Sequence, residues 1–444
     1  MIVIQPMLLY YLFLYFSPLH AAICHCPHHC LCNDCYDYYY YRETPIWNSA
    51  HCLLLHRGPL NDDEPYLKSV VLHQWLFGYE LPDTILLLKQ DGTLWILAAK
   101  KKCEFLRKAA DSIPEGSPIQ KIHLLLRNKE DNNADNYDTL WTEAGFSENG
   151  SSGDNKENKP HAVGSIVKER ANNATSGGIL GPWEERIDEA MEKKAIELVD
   201  AAPGLASVMS IKDDDEQDLM KKSSVLTNKV MKHGCIKKME EVIDAEQSIT
   251  HEQLAAHVEE ILEDPSKINL KVPADDVASC YYPIVQSGGK YDLRISAQSS
   301  SDALSHDIIT VSLGARYRMY CSNIARTFLV DPPKKVSETY EILLEVQEAC
   351  MSVMRPGKPL KSVYKAAVSY LQQKKGHEHL AEKLPKNLGF AMGLDFREPT
   401  LLLTPKNQIA FKQGMVFCLS VGFQGVELSE ADRAATPGNS AVRC

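Results

Sequence analysis

The spacing of apolar and polar positions predicts an α/β segment in the first half of the chain. The apolar residues of 66–76 recur at helical intervals. Two apolar runs meet at Asp91–Gly92, a dipeptide that is typical of a β-hairpin turn. The same patterns then predict a basic helix over residues 100–110. They also predict short apolar strands over 119–127, 166–167 and 196–199.

Residues 129–160 break this pattern. They are rich in Asn, Asp, Gly and Ser, and they carry one aromatic cluster at Trp141–Phe146. Long polar stretches of this composition bury little apolar surface. We therefore expect a mobile surface insertion at about 129–160 within a lobe that extends over residues 59–200.

A second lobe is predicted over residues 207–426. It opens with a long helix at 213–245, and Thr250 and Gln253 then form a capping-box pattern before the next amphipathic helix. On this helix, His251 and His257 are expected to face solvent. Strand-like runs follow over 281–285, 308–313, 318–321, 325–330 and 415–423. Two more helices are predicted, one capped by Ser337 and carrying Ile342, Val346, Cys350 and Val353, and one over 363–371. The overall expectation is a mixed α/β (α+β) protein.

The first 58 residues differ in composition from the rest of the chain. A regular pattern of apolar and polar positions begins only near Leu60. Residues 2–16 are almost wholly apolar, and five cysteines within Cys24–Cys35 alternate with histidines. A signal peptide followed by a metal cluster, a disordered tail, and a divergent or misassembled terminus all remain open. We favour the third, because the run lacks preceding Lys or Arg and the Cys spacing matches no ordinary zinc site.

The composition argues against one class of protein, a strongly basic nucleic-acid binder, and excludes few others. The chain has 444 residues, a net charge of −11 and 44% hydrophobic residues, an ordinary balance for a globular protein. Apart from the Cys24–Cys35 cluster, eight cysteines are scattered singly between Cys52 and Cys444. Scattered single cysteines are typical of reduced, buried thiols inside cells.

Three segments of the second lobe carry a family resemblance. They are Ile308–Phe328, Gly389–Glu398 and Gly414–Gly422, which occur in this order with their flanking glycines. Together they resemble the metal-binding strands of methionine aminopeptidases, prolidases and creatinases, which share the pita-bread fold. The resemblance implies a creatinase-like N-terminal lobe followed by an incomplete pita-bread lobe.

Active members of that family bind two divalent metals through two Asp, one His and two Glu, and the metals activate water. The resemblance places four of these ligand positions at Ser312, Asn323, Phe390 and Ser420. It places the fifth on a later strand that this chain is expected not to reach. None of the four residues present supplies a charged or imidazole ligand. We therefore expect a pseudo-peptidase with no metal, no cofactor and no catalytic residue.

A narrower resemblance covers about residues 59–423. The segments Trp75–Thr84, Pro283–Lys290, Gly314–Thr327 and Gly393–Glu398 resemble the N-terminal region of the large subunit of the FACT histone chaperone, most closely its plant form. This implies a nuclear, chromosome-associated protein that reorganises nucleosomes during transcription, DNA replication and DNA repair. The implied partners are histones and an HMG-box small subunit, without sequence-specific DNA binding and without a membrane. Residues 427–444 depart from the family, so the chain is expected to be a truncated, divergent copy.

Two other functions stay open at this stage. One is an active metallo-aminopeptidase or prolidase-like hydrolase whose ligands have moved to other positions. The other is a secreted peptidase-like binding protein, which requires residues 1–22 to be a true signal peptide.

Overall fold

The computed structural model describes residues 47–61, 63–113, 117, 119–146, 160–170, 178–289 and 291–426, and the backbone of 440–443. The chain divides into two compact units, residues 1–209 and 210–444. Within the described residues, no helix is long and apolar enough to cross a membrane. The Cys24–Cys35 cluster and residues 1–22 lie outside the described part.

The first unit is built on a six-stranded sheet of order β4-β3-β2-β1-β5-β6. Its strands are β1 Cys52–Arg57, β2 Thr84–Lys89, β3 Thr93–Ala98, β4 Lys121–Leu126, β5 His161–Ser165 and β6 Ile196–Asp200. Its helices are α1 Lys68–Phe77, α2 Lys100–Ala110, α3 Ala134–Glu143, α4 Leu180–Glu192 and α5 Ala202–Met209. The hairpin predicted at Asp91–Gly92 is confirmed, since β2 and β3 pair antiparallel and Gly92 has φ of 90°.

Strand β1 corrects an expectation about the N-terminus. It lies within the first 58 residues, where we expected no regular structure, yet it occupies an interior position of the sheet between β2 and β5. All six of its residues are buried. A strand that is buried on both faces has no polar alternation, which is why its pattern was not distinctive.

The expected insertion at 129–160 is wrong for its first half. Helix α3 buries Tyr137, Leu140 and Trp141 in the core of the first unit. The Tyr137 hydroxyl also donates a hydrogen bond to the Ile179 carbonyl at 2.6 Å. Residues 147–159, the second half, lie outside the described part.

The second unit begins with a long helical segment and a helix that packs beside it. The segment comprises α6 Asp214–Val230, a π turn Met231–Ile236 and α7 Lys237–Asp244, and α8 His251–Glu263 follows. Thr250 and Gln253 form the expected capping box at the start of α8. The remaining helices are α9 Lys334–Val353 and α10 Lys361–Gln373.

Four small sheets complete the described part of this unit. The strands are β7 Val277–Ser279, β8 Ile284–Gln286, β9 Ile308–Leu313, β10 Ala315–Tyr317, β11 Tyr320–Cys321, β12 Ile324–Leu329, β13 Gly389–Ala391, β14 Phe417–Leu419, β15 Gly422–Val426 and β16 Ser440–Arg443. They form sheets of order β11-β10-β7, β12-β9-β8, β13-β14 and β15-β16. The single strand predicted at 415–423 is therefore two strands. Strand β16 also falls within residues 427–444, where we expected a divergent tail.

Candidate functional site

The site predicted from the family resemblance lies at the meeting of two of these sheets. Ser312 sits on β9, the middle strand of its sheet, directly between Ile284 of β8 and Ala325 of β12. Its side chain is buried, with 3% of its surface exposed. Asn323 immediately precedes β12, so the antiparallel pairing of β9 with β12 carries it back towards Ser312.

A tyrosine hydroxyl occupies the space between these two side chains. The oxygen of Tyr281 lies 2.6 Å from the Ser312 Oγ and 2.5 Å from the Asn323 Oδ1, to which it donates. With its proton directed at Asn323, the Tyr281 oxygen accepts the proton of Ser312. One neutral hydroxyl thus links two of the four predicted positions.

The hydrogen-bond chain continues into the second sheet. The Asn323 Nδ2 donates to the Cys418 Sγ at 3.4 Å. Cys418 lies on β14 and is paired with Phe390 on β13. The third predicted position is therefore joined to the first two through Cys418.

Aromatic rings close the site on its other side. Phe390 is buried, and its ring centroid lies 5.5 Å from that of Phe396. The Phe396 ring in turn lies 5.2 Å from the Tyr281 ring, edge to face. The Arg397 guanidinium sits 5.8 Å from the centre of the Phe390 ring. These contacts are apolar or cation–π, the kind that stabilise packing.

Ser420, the fourth predicted position, follows β14 and is half-buried. Its backbone N–H donates to the Leu388 carbonyl at 2.8 Å. The structure therefore places Ser420 at the end of the strand that carries Cys418, one residue beyond Leu419.

The side chains present do not fit a pair of divalent metal ions. Such ions require carboxylate oxygens or imidazole nitrogens to offset their loss of water. Ser312 and Asn323 are neutral, and Phe390 offers no donor atom. Within the described ranges, no group of three or more His, Cys, Asp and Glu side chains is placed to hold a metal.

Three residues of this cluster were not among the predicted positions. They are Tyr281, Phe396 and Cys418, and each contacts a predicted position through its side chain. Phe396 and Cys418 fall inside the segments that carry the resemblance, but Tyr281 lies outside them. Its sequence signals are its place at the start of the predicted run 281–285 and just before the Pro283–Lys290 segment.

His251 corrects the expectation that it faces solvent. Only 4% of its surface is exposed. Its Nε2 lies 2.7 Å from the Ser287 Oγ, and its Nδ1 lies 3.0 Å from the Ser300 Oγ. Burial lowers the pKa of His251. It therefore links α8 to the connection between β8 and β9.

Comparison with known proteins places this site in a family. Residues 218–443 match the model of metallopeptidase family M24, and residues 34–204 match that of the FACT complex subunit SPT16 N-terminal lobe domain. A prolidase from Pyrococcus furiosus shares the fold, with a TM-score of 0.58 over 91% of this chain and 94% of that one, at 17% identity. The fold is thus that of the M24 metallopeptidases, as expected.

A second set of similarities is narrower. The N-terminal domain of FACT complex subunit SPT16 from chickpea is 31% identical, with a TM-score of 0.79 over 100% of this chain and 93% of that one. The FACT complex subunit SPT16 of Dictyostelium discoideum is 35% identical over 390 residues, 87% of this chain. This chain belongs to the SPT16 family and corresponds to its N-terminal domain. It spans about a third of the length of the curated relative, 34% in the Dictyostelium protein.

Proposed function

We propose that this chain is a non-catalytic, histone-binding component of a FACT-type chaperone that reorganises nucleosomes during transcription, DNA replication and DNA repair. It would act in the nucleus on chromosomes, with histones or nucleosomes and an HMG-box subunit as partners. Family membership supports this proposal. The net charge of −11 is compatible with basic histones.

The observation that carries the non-catalytic part is the position of the Tyr281 hydroxyl. It stands between Ser312 and Asn323, at two of the positions that the family resemblance aligns with metal ligands. A metal pair and a bridging water would have to displace this hydroxyl and would find no carboxylate there. Ser312, Asn323, Phe390 and Ser420 are accordingly proposed to be vestigial ligand positions.

Metal content and hydrolysis test the non-catalytic part. We expect the purified 444-residue chain, incubated with Zn²⁺, Mn²⁺ or Co²⁺ and desalted, to retain far less than half an equivalent of metal. We also expect no hydrolysis of Xaa-Pro peptides. Metal above half an equivalent, together with hydrolysis that a chelator abolishes, would establish the alternative of a metallopeptidase with relocated ligands.

Restoring the family's ligands provides the matched variant. Ser312→Asp, Asn323→Asp, Phe390→His and Ser420→Glu reintroduce charged and imidazole ligands, and Tyr281→Phe removes the competing hydroxyl. This five-fold variant should retain more metal than the natural chain, provided circular dichroism shows that it folds. Equal retention by the two would contradict the assignment of these positions.

Histone capture tests the binding part separately. Immobilised full chain should capture core histones at low salt and release them as salt rises, because the attraction is between opposite net charges. Absence of capture at low salt would contradict histone binding while leaving the non-catalytic part untouched. Asn149 and Asn173 begin the potential N-glycosylation triplets Asn-Gly-Ser and Asn-Ala-Thr. Glycan on either residue, with secretion from plant cells, would instead favour the secreted alternative.

A further inference from the structure

The long helical segment of the second unit carries an unusual run of charge. Residues 219–239 contain six lysines and no Asp or Glu, in a chain whose net charge is −11. The acidic residues of α6 are confined to its N-terminal end, where Asp213 and Glu216 form a capping box. The stretch from residue 219 to residue 239 therefore carries positive charge only, and acidic residues resume at Glu240, Glu241 and Asp244 of α7.

The structure places four of these lysines on the exposed face. Lys222 and Lys229 of α6, Lys232 of the π turn and Lys237 of α7 are all exposed. We call these four residues the basic ridge. The opposite face is buried in the core of the unit through Met220, Leu226, Val230, Met231, Cys235, Met239 and Val242. The ridge is thus a convex, solvent-facing surface on a helical segment whose opposite face packs against the core.

The π turn keeps the ridge on one face. A π turn uses i→i+5 hydrogen bonds and so takes up one residue more than an α turn. Since one residue corresponds to about 100° of rotation in an α-helix, everything after the turn is rotated by about that amount. Met239 and Val242 thereby face the core with Val230, and Lys237 faces solvent with Lys229.

The ridge lysines form no ion pairs with other described residues, although Glu240 and Glu241 follow Lys237 by three and four residues. Two other lysines of the run do form ion pairs, Lys221 with Asp218 at 3.2 Å and Lys238 with Glu241 at 3.9 Å. No ion pair between a ridge lysine and another described residue is present. At about 0.1 M salt, charges more than roughly 10 Å away are largely screened. A partner at the ridge therefore meets the local charge, four lysines with Glu240 and Glu241 beside Lys237 at one end, rather than the net charge of the chain.

The shape and chemistry of the ridge fit the backbone of a nucleic-acid duplex. Lys222 and Lys237 are 15 residues apart, or roughly 20 Å along the axis, a length over which one strand of a duplex presents about six phosphates. Lysines alone provide point charges for phosphates but no bidentate contacts to bases. A convex face also offers no groove for an extended acidic peptide.

We propose that the basic ridge binds the phosphate backbone of duplex DNA without reading its sequence. This goes beyond the proposed histone binding and does not rest on it. Each phosphate neutralised contributes about −0.9 to the slope of log affinity against log salt concentration. Three to four contacts therefore give a slope of about −3.

The test uses the full 444-residue chain and a labelled 30-base-pair duplex, with affinity measured by fluorescence anisotropy across a range of salt concentrations. The ridge variant carries Lys222→Gln, Lys229→Gln, Lys232→Gln and Lys237→Gln. Glutamine keeps the helix propensity of lysine, so the variant should fold. We expect its affinity at low salt to fall at least 10-fold and its salt slope to approach zero.

The matched control removes the same number of charges from another basic helix. It carries Lys100→Gln, Lys101→Gln, Arg107→Gln and Lys108→Gln, all exposed on α2 of the first unit. Both variants lower the net charge by four, so general repulsion affects them equally. The proposal expects the control to keep the wild-type slope.

Three outcomes would overturn the proposal. They are no duplex binding by the natural chain at low salt, equal losses in the ridge and control variants, and displacement of the duplex by poly-glutamate at a matched charge concentration. The last outcome would assign the ridge to an acidic peptide. Histone capture is measured in a separate experiment, so a failure of duplex binding would leave the proposal of histone binding unaffected.

Discussion

A phenolic hydroxyl and a metal pair require different surroundings. Metal ions need several anionic ligands around them, whereas the Tyr281 hydroxyl needs one acceptor and one donor. Asn323 and Ser312 supply these two roles at 2.5 and 2.6 Å. Neutral residues at these positions therefore satisfy each other within the site, and buried polar groups that are satisfied stabilise a fold.

Removing this hydroxyl should destabilise the second unit. Tyr281→Phe leaves the ring against Phe396 but breaks both hydrogen bonds, so Ser312 loses an acceptor and Asn323 a donor. We expect the free energy of unfolding to fall by about 1–3 kcal/mol. Urea denaturation followed by circular dichroism measures it.

The adjacent tyrosine is the control for that measurement. Tyr282 is 51% exposed, so Tyr282→Phe should change the free energy of unfolding by less than about 0.5 kcal/mol. Equal effects of the two substitutions would contradict the role given to the Tyr281 hydroxyl.

Tyr281 itself was not predictable from the sequence. The positions Ser312, Asn323, Phe390 and Ser420 were found because they occupy fixed places in family motifs. Tyr281 lies 31 residues before Ser312, and nothing local indicates that the chain returns to β9. Its role depends on tertiary packing, which a motif does not encode.

A buried histidine of the first unit should make stability depend on pH. His73 is 1% exposed, and its Nδ1 accepts the Leu81 N–H at 3.3 Å. Burial, followed by the charges of Arg57 and Lys102, lowers the pKa of His73 to about 3. Below about pH 6.5 the unfolded chain takes up a proton that the folded state does not. Stability should therefore fall on acidification, by about 1.4 kcal/mol per pH unit from this residue.

His73→Gln isolates that contribution. The variant should lose less stability than the natural chain between pH 7 and pH 5, with the difference near 2 kcal/mol by urea denaturation. His379 is exposed, and His379→Gln is the control substitution. If the free energy of unfolding depends on pH in the same way in the natural chain and in the His73→Gln variant, the burial of a neutral histidine is contradicted.

At the scale of elements, the start of β13 depends on a single glycine. Gly389 has φ of 145°, and a Cβ built there would lie 2.1 Å from the Cys418 carbonyl oxygen. No side chain fits that close approach without separating β13 from β14. The sheet that carries Phe390 and Cys418 thus requires glycine at this position.

Gly389→Ala should consequently destabilise the protein more than an alanine elsewhere. We expect a loss of at least about 3 kcal/mol, or failure to accumulate as folded protein. Gly376 has φ of 82° with nothing within 4 Å of an added Cβ. Gly376→Ala therefore measures the backbone cost alone, about 1 kcal/mol. Comparable thermal midpoints for the two variants would contradict the steric argument.

Elements with clear periodicity were predicted closely. Helix α2 and strand β9 have the predicted bounds, because a charged amphipathic helix and an apolar run between polar segments are both distinctive. Helix α3 was missed, although Tyr137, Leu140 and Trp141 have helical spacing. The surrounding Asn and Asp residues outweighed that signal. Asn132 and Asn133, with positive φ, in fact lead into the helix.

At the scale of the whole molecule, the fold class and the family were predictable because they depend on motifs in a fixed order. The domain boundaries at residues 58, 200, 207 and 426 remain predictions. Each of the two compact units has buried apolar clusters of its own. The distribution of cysteines across them gives a test of the fold as a whole.

All seven described cysteines are buried, and none of them forms a disulfide with another described residue. They are Cys52, Cys103, Cys235, Cys280, Cys321, Cys350 and Cys418. Burial raises the pKa of Cys52, Cys235 and Cys350 to about 12. Since the thiolate is the reactive form, these groups should react only when the structure opens.

A variant in which the other six cysteines are serine makes this measurable. The changed positions are Cys24, Cys26, Cys30, Cys32, Cys35 and Cys444. In the native variant, the thiols should react with Ellman's reagent roughly 1,000-fold more slowly than an exposed thiol. The denatured variant should release seven equivalents of nitrothiobenzoate, one for each cysteine thiol. If two or more thiols react rapidly in the native protein, the core of at least one of the two units is not formed as described. A fast thiol could then be assigned to the first unit, which holds Cys52 and Cys103, or to the second by mass spectrometry.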